Sequence, residues 1–164
     1  MATAIINAAR LRVLLLYNAA TGVFTNRVTR GSRAVIGAVV GSPHSDGYLT
    51  IMLDGKNYLA HRLAWLYVHG SFPVGQIDHK NRIKSNNWIN NLCDTTRSNN
   101  QQNKFDPSRN NKCGYLGVTA HKNGFRATIK VNGKRIHCGL HKTPELASEA
   151  YKLAKQKYHT VAVF

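Results

Sequence analysis

The stretch IDHKNRIKSNNWINNLCDTTRSNNQQN, residues 77–103, decides how this chain is read. It opens on an acid–imidazole pair, Asp78-His79, and carries asparagines at 81, 86, 87, 90, 91, 99 and 100 before Asn103 closes it. Once buried, each of these groups needs a hydrogen-bond partner, so the stretch suits a small polar site far better than an apolar core. The same residues would also serve a hydrogen-bonded loop against which His79 only packs. Carboxylates are scarce elsewhere, with seven Asp and Glu in 164 residues, so metal or acid–base chemistry is expected to begin at Asp78 and His79.

Outward from that stretch the chain is cationic. Twenty-three Lys and Arg give a net charge of +16, and they run from Arg10 to Lys157 with no low-complexity tail. The folded body itself is therefore drawn to polyanions, nucleic acid before membrane. A basic structural protein of the ribosomal kind would carry the same charge. Cys93, Cys113 and Cys138 form no close pair and are odd in number, which points to a reducing compartment. Cys138-Gly-Leu-His141 has the spacing of half a zinc site and lacks a second half. The apolar run of Leu11 and Val13–Leu16 is too short for a bilayer and has no cleavage-site pattern, so neither a membrane helix nor a signal peptide is expected. The expected location is the cytoplasm.

The length allows one domain or two small ones. Apolar residues at 5, 6, 9, 13 and 16 predict a helix over Ile5–Leu16, and Val23-Phe24-Thr25 a strand after the Thr21-Gly22 turn. Arg27 to Arg33 reads as a solvated loop or a phosphate-contacting arm. Asp54-Gly55 marks a hairpin between Tyr48–Leu53 and Asn57–Ala60, since both residues tolerate the positive φ of a tight turn. His61–Val68 reads as a helix ended by Gly70, with His61 as a packed, capping or functional residue. Two short strands, Gln76–Asp78 and Leu92–Asp94, flank a polar loop over 81–91, and Thr95 or Thr96 caps a helix reaching about Asn103. Lys104–Cys113 reads as a linker. Beyond it, Leu116–His121, Phe125–Val131 and Arg135–Leu140 alternate around Asn123-Gly124 and Asn132-Gly133 as three antiparallel strands. Thr143-Pro144 then opens a helix with Leu146, Ala147, Ala150, Tyr151, Leu153 and Ala154 on one face. The expected class is α+β.

Asn91 lies twelve residues beyond His79 and Asn100 nine beyond that, enough chain for strand, loop, strand and helix to gather all of them at Asp78. One carboxylate and one amide are a weak ion site alone. Mg²⁺, or Mn²⁺ in its place, is nevertheless held by one or two carboxylates when phosphate oxygens and water complete its shell. Two-metal cleavage wants more convergent carboxylates, whereas Asp46, Asp54, Asp94 and Asp106 sit at expected turns and strand ends. A one-ion reaction with His79 as general base fits the inventory.

The string HRLAW, G-x-x-P-x-x-x-IDH, N-x-x-x-N-N, NL and T-x-S-N-N-x-x-N over 61–103 resembles the HNH endonucleases, in the branch found in phages and phage-intron homing enzymes. Tyr17, Thr21-Gly22 and the Gly47-Tyr48…Asp54-Gly55 hairpin also look like that branch. The resemblance implies a ββα-metal fold, with Asp78 and Asn100 as metal ligands, His79 as general base and Asn91 as the central Asn that fixes the loop and orients the His. Asn100 stands where many relatives have a final His, an HNN variant. Where the family usually carries Asp-Asn-Arg, this chain has Asn86-Asn87-Trp88, and Cys93 follows Asn-Leu in place of a frequent Arg.

Residues 114–159 resemble a second family, the ethylene-response-factor type DNA-binding domain, through Gly117-Val118, Phe125–Ile129, Gly139 and Ala147–Ala154. That likeness implies a three-stranded sheet packed on one helix, with its outer face on DNA. By alternation Phe125, Ala127, Ile129, Ile136 and Cys138 face the helix, and Thr119, His121, Arg126, Thr128, Lys130, Arg135 and His137 face outward. Arg126, Lys130 and Arg135 lead the expected DNA contacts, with Thr128, His137 and His121 beside them. The expected organisation is an HNH domain over 1–103, a linker over 104–113 and the sheet-and-helix domain over 114–164. The expected partner is double-stranded DNA, with no membrane, for a monomer or weak dimer that nicks. The rival expectation is a DNA-binding regulator that keeps the fold without the activity; a structural RNA-binding protein is a weaker third.

Overall fold

The computed structural model describes residues 5–102, 106–108 and 110–159. Asn103 and the linker residues Lys104, Phe105 and Arg109 lie outside them. Contacts divide the chain into two compact units, one running to Thr96 and the other beginning at Arg97.

The first unit opens with α1 (Ala8–Leu14), capped by the Asn7 side chain on the Arg10 amide at 2.8 Å. The helix predicted to continue to Leu16 ends earlier. Leu15 leaves helical space (φ −129°, ψ 149°) and starts β1 (Leu15–Tyr17), which buries Leu15 and Tyr17 and exposes Leu16. The period has changed from helix to strand, and pairing with β2 (Phe24–Asn26) decides it. β3 (Val39–Val40) extends that sheet. A second antiparallel sheet contains β4 (Ser42–Pro43), β5 (Leu49–Leu53) and β6 (Lys56–Leu59) in that order. The β5–β6 turn takes positive φ at both Asp54 (46°) and Gly55 (78°), as its sequence demands.

β6 runs without a loop into α2 (Ala60–His69), which Gly70 ends in the left-handed region at φ 80°. Its buried positions, Ala60, His61, Leu63, Ala64 and Leu66, repeat at helical spacing, and the four apolar ones join Leu11, Leu15, Phe24, Ile51 and Leu53 in one core. Truncating Leu63, fully buried there, is expected to cost about 2–5 kcal/mol. β7 (Gln76–His79) and β8 (Leu92–Thr95) form a two-stranded ribbon, and Ile77 and Leu92 anchor it to the same core.

The second unit begins with α3 (Arg97–Gln102) and continues with β9 (Val118–His121), β10 (Gly124–Val131), β11 (Lys134–His141) and α4 (Pro144–Tyr158). The strands form an antiparallel sheet in the order β11-β10-β9. Thr143 caps α4 on the Leu146 amide, with Pro144 in the first turn. Val118, Ala127 and Ala147 make its small core, packed by Tyr115, Phe125, Cys138 and Tyr151. Asn132 and Gly133 both take positive φ, 49° and 81°, in the expected turn.

The other predicted turn differs. His121 pairs with Gly124, so Lys122-Asn123 forms the bend and Gly124 belongs to the strand. A Cβ at Gly124 would lie 2.3 Å from the His141 carbonyl oxygen, so glycine is needed there for close approach of strands. β11 also carries a bulge: Arg126 opposes Leu140 while Thr128 opposes His137. Between them Gly139 adopts φ 112°, and Leu140 turns to the exposed face.

Candidate active site

Alternation along β7 persists to its end. Ile77 and His79 take the buried side of the ribbon, each 5% exposed, while Asp78 is half-buried. The Asp78 carboxylate accepts the His79 amide N–H at 2.9 Å.

Around His79 the loop over 80–91 is tied by Asn91. Its Oδ1 accepts the Asn81 amide at 2.9 Å, its Nδ2 donates to the Asn86 carbonyl at 2.7 Å, and its own carbonyl accepts from Lys80 at 2.9 Å. Asn91, 1% exposed in a single 3₁₀ turn over Ile89–Asn91, thus clamps both ends of the loop. The bond to the imidazole comes from elsewhere: His79 Nε2 lies 3.2 Å from Asn87 Oδ1. Asn87 is also 1% exposed, and the Tyr17 hydroxyl donates to its carbonyl at 2.7 Å.

A second imidazole, His61 from the first turn of α2, meets the His79 ring edge-on with centroids 5.2 Å apart. Tyr48 stands against both rings, at 5.0 Å from His61 and 5.9 Å from His79. Lys84 reaches over Tyr48 and donates to the Asp46 carbonyl at 2.8 Å, fastening the loop to the β4–β5 turn. Two buried polar atoms of this cluster, His61 Nδ1 and Asn87 Nδ2, have no hydrogen-bond partner.

Burial controls the protonation of these groups. It pushes His61 down to about 3, helped by His79 at pH values where that ring is protonated and by the charge of Arg62. Burial also lowers His79; the Asn87 bond and Asp78 oppose that, and Lys84 adds to it. Desolvation, more than the surrounding positive charge, therefore favours the neutral imidazole of His79. Tyr17 rises to about 12 by burial, and Tyr48 rises by burial and by the charges of Asp78 and Asp46.

Residues 58–102 match the family model of the HNH endonucleases. No curated protein and no solved structure matches the chain. The HNH segment runs from within β6 to the end of α3 and carries Asp78, His79, Asn91 and Asn100. It supports a nuclease. His61 and Asn87 belong to the same segment, while Tyr17 and Tyr48 precede it.

The other expected site residues are placed as follows. Asn100 is half-buried on α3, in the second unit. Asp94 accepts from the Val74 and Gly75 amides at 3.0 and 2.9 Å, a structural use that matches its reading as a strand-end residue. Among the described residues, no group of three or more His, Cys, Asp or Glu side chains gathers as a metal site. No described helix is long and apolar enough to cross a membrane.

On the second unit, Ala127 and Ile129 are buried, whereas Lys130, Arg135, His137 and His121 are exposed and Arg126 and Thr128 half-buried. Lys130 opposes Arg135 and Thr128 opposes His137 across β10 and β11, so these four share one face.

Sequence reasoning missed the partnership of Asn87, Tyr48 and Tyr17 with the imidazole, and left His61 open. The sequence signal was present only in part, as a tyrosine and a glycine-flanked turn some 70 residues from the loop they contact.

Proposed function

We propose that this chain is a metal-dependent DNA endonuclease of the HNN variant, with a ββα-metal site, that hydrolyses a phosphodiester by a one-ion mechanism and nicks as a monomer or weak dimer. The observation that carries the reading is the Asp78-His79 pair at the end of β7, closed by the Asn91-clamped loop, inside the segment matched by the HNH family model. Homing enzymes and other phage nucleases are the setting it fits, with the host cytoplasm as location.

The donor chemistry suits a hard divalent ion. Asp78 offers a half-buried carboxylate with one oxygen turned to its neighbour's amide, and Asn100 offers an amide oxygen. Asp78 would hold Mg²⁺, or Mn²⁺, with phosphate oxygens and water filling the shell, and the HNH resemblance implies Asn100 as a second ligand. Bound there, the ion would neutralise charge on the scissile phosphate and the leaving oxygen. The chain's own part is acid–base. His79, neutral because buried, takes a proton from the attacking water. The water oxygen forms a bond to phosphorus, one P–O ester bond breaks, and the departing oxygen takes a proton from solvent. Asn91 keeps the loop in place throughout.

The second unit supplies a DNA-binding face. Arg126, Lys130 and Arg135, with Thr128, His137 and His121, carry positive charge and hydrogen-bonding groups toward a duplex, in the manner of an ethylene-response-factor type sheet. Two modules on one chain raise each other's effective concentration on the same DNA.

The test is a supercoiled plasmid incubated with the full chain and Mg²⁺. Conversion to open circles, abolished by EDTA, is expected. An intact plasmid under all ion conditions favours the DNA-binding regulator without activity.

A further inference from the structure

The side-chain amide of Asn91 is committed to the Asn81 and Asn86 backbone. The ring hydrogen bond belongs to Asn87. We propose that Asn87 is a positioning residue: its side-chain oxygen holds the His79 ring with hydrogen on Nε2, leaving Nδ1 as the nitrogen that accepts the proton from water. This rests on the reading of His79 as the general base.

Three observations show that the loop backbone at Asn87 is held from behind. The Tyr17 hydroxyl donates to the Asn87 carbonyl at 2.7 Å across 70 residues of chain. Gly22 presses on the same peptide, where a Cβ would lie 2.3 Å from the Trp88 nitrogen and 2.4 Å from the Asn87 carbonyl carbon. The Ile89 amide donates to the Ala19 carbonyl at 3.1 Å. The β1–β2 turn is thus a buttress for the loop, although it lies outside the HNH segment. A carbonyl-type oxygen can only accept, so facing Nε2 it selects the tautomer that carries its hydrogen there. Selecting the tautomer through a second residue is how outer partners tune a working histidine. The same contacts give Trp88 a place: its backbone is the floor on which the turn rests.

The experiment reads the tautomer directly in the ¹⁵N-labelled full chain, by two-bond ¹⁵N–¹H correlation at a pH where the ring is neutral. The wild type should show His79 with hydrogen on Nε2. Asn87→Leu, which keeps the branched outline in a larger side chain without an acceptor, should lose that preference and lower the nicking kcat on the order of 10–100-fold with little change in KM. Asn87→Asp keeps an acceptor oxygen and should keep the tautomer, which a merely structural role for Asn87 would not favour. Hydrogen on Nδ1 in the wild type overturns the proposal, and this result needs no variant to fold. An unchanged tautomer in folded Asn87→Leu overturns it too. A tautomer that behaves as expected while His79→Ala nicks like wild type instead removes the general-base reading.

Discussion

The two units handle polar side chains in opposite ways. In the first, His61, His79, Asn87 and Asn91 are each at most 5% exposed, beneath a core that includes Leu11, Leu15, Phe24 and Leu63. In the second, the core is little more than Val118, Ala127 and Ala147, and the charged groups of β10 and β11 stand on an open face. Burial makes a group's chemistry specific: it removes water, shifts protonation and demands a partner for each atom. Exposure makes attraction general, screened by salt and tolerant of substitution. The first arrangement fits a site of reaction, the second a site of binding, and the contrast can be attacked at several points.

The largest effect is expected at Asp78. Asp78→Asn should lower nicking by roughly 10²-fold or more by removing charge at the transition state, while thermal unfolding stays close to wild type. A loss of activity accompanied by unfolding would place Asp78 with the structural carboxylates such as Asp94.

Gly22→Ala probes the buttress. The left-handed φ of 76° and the close approach to Trp88 leave no room for a methyl group, so a loss of about 1–3 kcal/mol in chemical denaturation is expected. Gly133, whose added Cβ would meet nothing within 4 Å, should cost less when changed to Ala, through φ alone.

The smallest expected change is with pH. His61 and His79 are lowered in the fold, so the unfolded chain binds more protons below its ordinary imidazole value near 6.5. Their contribution to stability is full above about 6.5 and is lost as pH falls from there, toward about 3 for His61. Denaturation midpoints measured stepwise down this range should fall, and His61→Phe should flatten the curve. Nicking should hold until the pH drops below the ordinary imidazole range, because His79 titrates lower.

Much of this was legible in the sequence wherever chemistry is local. Asp54-Gly55, Asn132-Gly133, Gly70 and Thr143-Pro144 carry their conformations in their own residue types, and all four stand where they were expected. The Asp78-His79 pair was legible for the same reason, being adjacent. What escaped depends on distant partners. Leu15 and Leu16 fall within the helix expected over Ile5–Leu16 and become strand because β2 is there to pair with them. Gly124 reads as a turn glycine until β11 packs against it, and the bulge at Gly139 follows from register. In the sequence Asn87 is one polar loop residue among several. Its role in the cluster comes from Tyr17, 70 residues away, and from His79 across the loop.

The most direct measurement is the single-turnover nicking rate at saturating protein for two variants: His79→Ala, and one with Arg126, Lys130 and Arg135 all changed to Ala. The expected result is that His79→Ala binds DNA as wild type does yet cleaves roughly 10²–10⁴-fold more slowly. The triple variant should bind more weakly, its affinity less steeply dependent on salt by up to about 3 in log–log slope, yet cleave at close to the wild-type rate once saturated. Wild-type cleavage by His79→Ala, or a triple variant that stays slow at saturation, would contradict the division of labour between the two units.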